Sequence, residues 1–415
     1  MKMKIPYGKE KVEVEVDNSR VLGVIEPNPV YIGDETEVIQ KGIQNPVNSK
    51  GFDEFIADAK DLLFIVNDYT RPTPTAKILE IIYDRIKDKD IKILIATGTH
   101  RRPNEEEFYF IFGKYYDLLK DRIYVHDSKK DEDMVYLGTS STGTEMHVNR
   151  LGVEAHKLVT ISSVEPHYFA GYTGGRKSFL PGIAAYKTIE QNHKHAFNPK
   201  AQTLVLEGNP VHEDMVDAIK TIADKEIFSI QTVLDREKRV YSCTSGHIHD
   251  SFLAAIDKSH EVFCANIKEK ADIVVAVAGY PSDIDLYQSQ KTLEHGRLAL
   301  KDGGIIILVS ECRDGIGPET FFNLLSSSSN SDEVFKKIEQ GYKLGYHKAA
   351  KMVELAGCAD ICGVTGLNDG DMRSAFIEPF PGVQQAIDKA LERKGEKAKV
   401  LFLMDGSLTV PRITN

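Results

Sequence analysis

The chain has no tryptophan, only five cysteines among 415 residues, and no apolar run near the roughly 20 residues that span a bilayer. The cysteines (Cys243, Cys264, Cys312, Cys358 and Cys362) are odd in number and irregularly spaced. That pattern excludes a disulfide framework and fits a reducing compartment. Cys358 and Cys362 have no second pair nearby to complete a zinc site. The opening Met-Lys-Met-Lys-Ile-Pro lacks the apolar core of a signal peptide, so a cytoplasmic protein is expected, with no membrane partner. Cations are also in deficit: 52 Lys and Arg against 62 Asp and Glu leave a formal charge of −10. Nucleic acid is thereby disfavoured as a partner, because phosphate backbones are held by concentrated Lys and Arg. A small anion, needing two or three placed cations, is not.

What is present is a rhythm of short apolar strands, polar turns and amphipathic helices. Residues 11–16 alternate as a half-exposed strand, and 21–25 form a second candidate. Helical patterns follow over 35–43 and 52–60. Then come strand 62–66 and helix 75–87, strand 91–97 and helix 105–119, and strands over 122–126 and 158–164. Beyond these, 204–206 and 227–234 read as strands, 210–223 and 249–267 as helices. A second series opens after the charged break at 268–270, with strands at 272–278, 305–310, 361–364 and 400–404 and a helix over 287–300. This alternation predicts two α/β domains with mainly parallel sheets, 1–268 and 269–415, and an active site in the cleft between them. The serine run 326–329 reads as a loop and Gly315-Ile316-Gly317-Pro318 as a helix-entry turn.

In open α/β sheets, ligands bind at the carboxyl ends of strands. Segments 67–74, 98–103 and 165–177 each follow such an end, and each carries ionisable side chains. Arg71 can grip a carboxylate with two hydrogen bonds. His100 and His167 are suited to paired acid–base work on mirror-image substrates. Gly171 to Ser178 nearly matches the phosphate loop G-x-x-x-x-G-K-[ST], with Arg176 standing where the glycine before Lys177 belongs. Gly174, Gly175, Arg176 and Lys177 remain friendly to an anion, and Lys177 is a candidate nucleophile. His193 and His195 point apart on a helix, so one alone is the more credible metal ligand. In the second series, Tyr287, Gln288 and Lys291 open a helix behind a strand and turn.

Together the Asp68-to-Pro74, Gly98-to-Arg101 and Glu165-to-Ser178 segments, with His193, Gln288 and Lys291, resemble the nickel-pincer lactate racemase family over most of the chain. The resemblance implies a nickel pyridinium-3,5-bisthiocarboxylic acid mononucleotide attached to Lys177 through a thioamide. His193 would be the protein's one nickel ligand, and Asp68, Gly174, Gly175 and Arg176 would help seat the cofactor. It further implies hydride transfer through a 2-keto acid, with His100 and His167 exchanging the hydroxyl proton. Arg71 and Lys291 would clamp the carboxylate while Tyr287 and Gln288 line the site. Cofactor-maturation proteins are implied partners. The substrate expected is a small anionic 2-hydroxy acid, lactate first, malate or a sugar acid second. A phosphoryl-transfer enzyme using the glycine-rich loop and a two-lobed anion-binding protein are the alternatives.

Overall fold

The strand Leu62–Asn67 pairs in parallel with Ile91–Ala96 on one side and Lys157–Ser163 on the other, and these three form the centre of a six-stranded sheet. Glu226–Leu234 extends it in parallel beyond Lys157–Ser163, Val240–Gly246 adds an antiparallel edge, and Ile123–Val125 closes the far side. Leu62–Asn67 and Lys157–Ser163 are buried along their length, which accounts for the continuous apolar run of the former. Leu62, Phe64 and Val66 point into one core with Ile93, Val159, Ile161 and Phe228, filled out by Ile78, Ile82, Phe108 and Phe112 from covering helices. The computed structural model describes residues 1–414 apart from Ala223, Pro281 and Ser329. The last residues of the expected 210–223 helix and 326–329 loop therefore lie outside the described residues.

A second six-stranded sheet is parallel throughout, in the order Glu378–Pro379, Asp360–Val364, Leu300–Val309, Ala271–Val277, Val400–Leu403, Val21–Ile25. Alternation sorts its side chains: Val274, Ala276, Ile306 and Leu308 enter one core, and Ile273, Val275, Ile305 and Ile307 the opposite one. The two-domain α/β architecture with mainly parallel sheets holds, but its boundaries differ from the expected 1–268 and 269–415. One unit comprises Met1–Asn28 with Phe263–Asn415, and the other Pro29–Val262. The cause is pairing at a distance: Val21–Ile25 lies beside Val400–Leu403, and the hairpin Lys2–Tyr7/Glu10–Glu15 contributes Ile5 and Val14 to the same core as Phe402.

Smaller differences have local reasons. The helix expected over 105–119 is two, Glu105–Phe112 and Tyr115–Leu119, divided at Gly113. The expected 249–267 helix ends at Phe263, where Cys264–Ile267 becomes a strand paired with Val410–Ile413. Residues 204–206 form turn and coil, the Leu204 amide donating to the Gly171 carbonyl at 3.2 Å. A helix over Glu319–Ser326 does follow the Gly315-to-Pro318 turn.

Candidate active site

Because Lys157–Ser163, Leu62–Asn67 and Ile91–Ala96 are adjacent and parallel, the segments at their carboxyl ends lie side by side. Cross-links hold them in place. Thr73 Oγ1 donates to Asn67 Oδ1 at 2.8 Å and lies 3.2 Å from Ser163 Oγ, and the Gly98 amide donates to the Gly182 carbonyl at 2.9 Å.

At the middle strand's end Asp68 is 4% exposed, and its Oδ2 lies 2.7 Å from His100 Nδ1. Its Oδ1 accepts from the Thr70 hydroxyl at 2.6 Å and the Thr70 amide at 3.1 Å. Burial alone raises a carboxyl pKa. Here the His100 hydrogen bond and charge, the Thr70 hydroxyl and Arg71 outweigh it and hold Asp68 below the ordinary value. An ionised carboxylate only accepts, so Nδ1 of His100 carries the proton. The ring therefore presents Nε2, with His100 40% exposed. Asp68 orients this histidine. Arg71 is half-buried in the same turn, its amide donating to the Asp68 carbonyl at 3.1 Å.

After Lys157–Ser163 the chain makes a small antiparallel ladder, Pro166–His167 against Gly171–Tyr172, and then a single tight turn, Gly175–Ser178. His167 Nδ1 accepts the Ala170 amide at 3.3 Å, and its Nε2 stands 3.4 Å from Lys177 Nζ. Phe169, 3% exposed, is the hub of the cluster. Its ring centroid lies 4.6 Å from that of His167, 5.1 Å from that of His193 and 5.7 Å from Lys177 Nζ. Three expected site residues, 167, 177 and 193, thus gather on one buried ring. Burial, then the Lys177 charge, push His193 down to about 3, so its imidazole is neutral and able to donate a lone pair. His193 occupies the last turn of the helix Tyr186–Lys194, and His195 begins a separate short turn.

The loop's own contacts bear on the glycines and on Arg176. Arg176 turns inward, 2% exposed, its guanidinium donating to the carbonyls of Ala170 at 2.7 Å, Tyr172 at 3.0 Å and Gly174 at 3.3 Å. It also lies 4.4 Å from the Phe252 ring centroid, and burial lowers it to about 9. These contacts fasten the loop to itself. Gly174 and Gly175 have φ of +82° and +52°. A Cβ on Gly174 would come within 2.7 Å of Val164 Cγ2 and 2.8 Å of Gln231 Oε1. The Gly175 amide is taken by Gln231 Oε1 at 3.1 Å. These glycines allow close packing, and the amide expected to cradle an anion is engaged by protein. The four-residue turn is also no phosphate-loop helix start, so the phosphoryl-transfer alternative falls.

In the other unit, Asp285 caps the helix Leu286–Leu298 by accepting the Gln288 amide at 2.6 Å. Tyr287 packs edge-on against Phe321 at 5.4 Å, and Lys348 Nζ lies 3.9 Å from the Tyr287 ring centroid while donating to its carbonyl. Burial first, then the Lys291 charge, hold Lys348 well below the usual lysine value. Tyr287, Gln288 and Lys291 thus share one helix start. Sequence reasoning missed Lys348, Phe169 and Gln231, and only the run of aromatics at 168–169 offered any signal. Among the described residues no group of three or more His, Cys, Asp and Glu is placed to hold a metal, and no helix is long and apolar enough to cross a membrane.

Known proteins match nearly the whole chain. Residues 7–204 match the lactate racemase N-terminal domain and 267–410 the lactate racemase C-terminal domain. The chain is 36% identical to the lactate racemase of Thermoanaerobacterium thermosaccharolyticum over 347 residues, 81% of this chain and 80% of that one. It is 32% identical to that of Lactiplantibacillus plantarum over 425 aligned positions, 97% of each. The lactate racemase apoprotein structure from T. thermosaccharolyticum superposes with a TM-score of 0.91 at 32% identity, covering 99% of this chain and all of that one. A Thermotoga maritima protein shares the fold at 19% identity, with a TM-score of 0.71 over 92% of this chain and all of its own. The chain belongs to the lactate racemase family, enzymes of the isomerase class.

Proposed function

We propose that the protein racemises lactate, or a 2-hydroxy acid of similar size, with a nickel-pincer mononucleotide attached to Lys177 and its nickel bound by His193. The observation that carries this reading is the cluster on Phe169, where Lys177, His167 and a neutral His193 meet, beside a strand end bearing the Asp68–His100 pair. The chain's residues fit such a group: a lysine amine for the tether, and close to it one imidazole held neutral by burial. A single protein donor suits a metal whose other ligands arrive with the cofactor. When bound, the cofactor supplies a carbon that takes the Cα hydrogen with its electron pair and returns it.

The protein's part is binding and proton transfer. Arg71 grips the substrate carboxylate in a two-pronged hydrogen bond, and Lys291 is its proposed cationic partner, with Tyr287 and Gln288 contacting the rest of the substrate. The Cα–H of a hydroxy acid is a very weak acid, so the proton to be handled is the one on the hydroxyl. His100, its Nδ1 held by Asp68, takes or returns it through Nε2, and His167 is the proposed proton carrier for the mirror-image substrate. Maturation proteins install the cofactor, and a reducing cytoplasm suits the unpaired cysteines.

Intact-mass analysis after co-production with maturation proteins tests this. The expected result is an adduct on Lys177, one nickel per chain, and conversion of single-enantiomer lactate followed by chiral chromatography. A matured protein without adduct, whose Lys177→Ala variant keeps full racemase activity, refutes the reading.

A further inference from the structure

His193 sits beside a buried polar chain that the proposed reaction does not use. Asn192, wholly buried, places its Oδ1 3.2 Å from His193 Nδ1. Its Nδ2 donates to Asp214 Oδ2 at 2.7 Å and to the Val211 carbonyl at 3.2 Å. Both partners of Nδ2 are oxygen acceptors, so the amide has one sensible orientation. Reversing it would set oxygen against oxygen twice. Asp214, also wholly buried, is fixed in turn: Ser140 and Thr142 hydroxyls donate to its Oδ1, and the Thr144 hydroxyl donates to its Oδ2 at 2.9 Å. These hydroxyls lie on and beside the turn between the paired strands Met134–Thr139 and Glu145–Asn149.

We infer that Asn192, locked by Asp214 and the Val211 carbonyl, is a positioning residue that sets the tautomer of His193. Asn192 Oδ1 can only accept, so it draws the ring proton to Nδ1 and leaves the lone pair on Nε2. An unconstrained neutral imidazole has no such fixed choice, and one presenting Nε2–H to a metal cannot bind it through that nitrogen. This inference rests on the proposed role of His193 as nickel ligand only for its purpose; the hydrogen-bond chain stands without it.

Long-range 1H–15N correlation spectra of the histidine-labelled apoprotein near pH 7 test the tautomer with no cofactor present. The wild type should show His193 Nδ1 as the protonated nitrogen and Nε2 as the bare one. Asn192→Leu should move the ring to a mixture dominated by Nε2–H. In matured protein the same variant should keep its Lys177 adduct yet release nickel to a chelator roughly 10- to 100-fold more readily. A wild-type His193 protonated at Nε2, or an Asn192→Leu ring still wholly in the Nδ1–H form, overturns the inference. The wild-type spectrum decides even if the variant fails to fold. A matured wild type free of nickel but holding the Nδ1–H tautomer counts instead against the proposed function.

Discussion

Replacing Asp68 by asparagine isolates the contribution of one carboxylate oxygen. The Thr70 amide and hydroxyl both donate to Oδ1, so the asparagine oxygen must take that position. The amide nitrogen then falls where Oδ2 was, 2.7 Å from His100 Nδ1. It can only donate, which drives the ring proton from Nδ1 to Nε2, the nitrogen proposed to receive the substrate's proton. The side-chain volume hardly changes, but the base is blocked. A hydrogen bond to a charged group contributes about 1.5–3 kcal/mol. At 1.4 kcal/mol per tenfold, its loss predicts a kcat/KM lower by roughly 10- to 150-fold, mainly in kcat. Initial rates from pure L- and pure D-lactate, read by chiral chromatography, should fall by the same factor. The equilibrium constant between mirror images is one, so kcat/KM must remain equal in the two directions. Matured Asp68→Asn within threefold of wild type would refute the view that Asp68 sets the His100 tautomer. A large rise in KM with unchanged kcat would do so as well.

Three further outcomes follow from the packing. Gly174→Ala puts a Cβ into Val164 and Gln231 at φ +82°, and should cost about 2–4 kcal/mol in urea unfolding; a change below 0.5 kcal/mol would contradict the close-approach argument. Arg176→Lys cannot reproduce a planar fork over the three carbonyls of Ala170, Tyr172 and Gly174, and should lose about 2–3 kcal/mol of stability. Unchanged thermal unfolding with reduced cofactor loading would return Arg176 to a ligand-binding role. Burial raises the Glu294 carboxyl to about 7, above its unfolded value, so the folded state binds that proton more tightly. Its contribution to stability is whole below the unfolded pKa and is lost as pH rises through 7. Glu294→Gln should therefore exceed wild type by up to roughly 3 kcal/mol at pH 8 and converge with it near pH 4, and parallel stability curves would exclude this.

Much of the scaffold was legible because it is local. Strands such as Leu62–Asn67 and Ile91–Ala96, buried on both faces, announce themselves as apolar runs between turns, and the strand-end rule then brings 68, 100 and 167–177 together. What stayed hidden depends on contacts distant in sequence or on side-chain direction. Nothing in Val21–Ile25 indicates pairing with Val400–Leu403 rather than with a nearby strand, so the first residues were assigned to the wrong unit. Spacing placed Arg176 beside Lys177 but could not say that its guanidinium turns back onto its own loop. Asn192 and Asp214 looked like ordinary helix residues, and only the buried chain of hydrogen bonds sets them apart.

The distant pairing of Val21–Ile25 also bears on how the molecule is made. Its neighbour in the sheet, Val400–Leu403, leaves the ribosome only after everything between them has been made, so Val21–Ile25 waits unpaired through that whole stretch of synthesis. Pro29–Val262 is contiguous and has all its partners much earlier. The segment carrying Lys177 and His193 can thus acquire its fold while the other unit is still a strand without a sheet. Stalled chains ending near residue 300 should already protect the Phe169 cluster from protease, while the Lys2–Tyr7 hairpin and the strand behind it remain open.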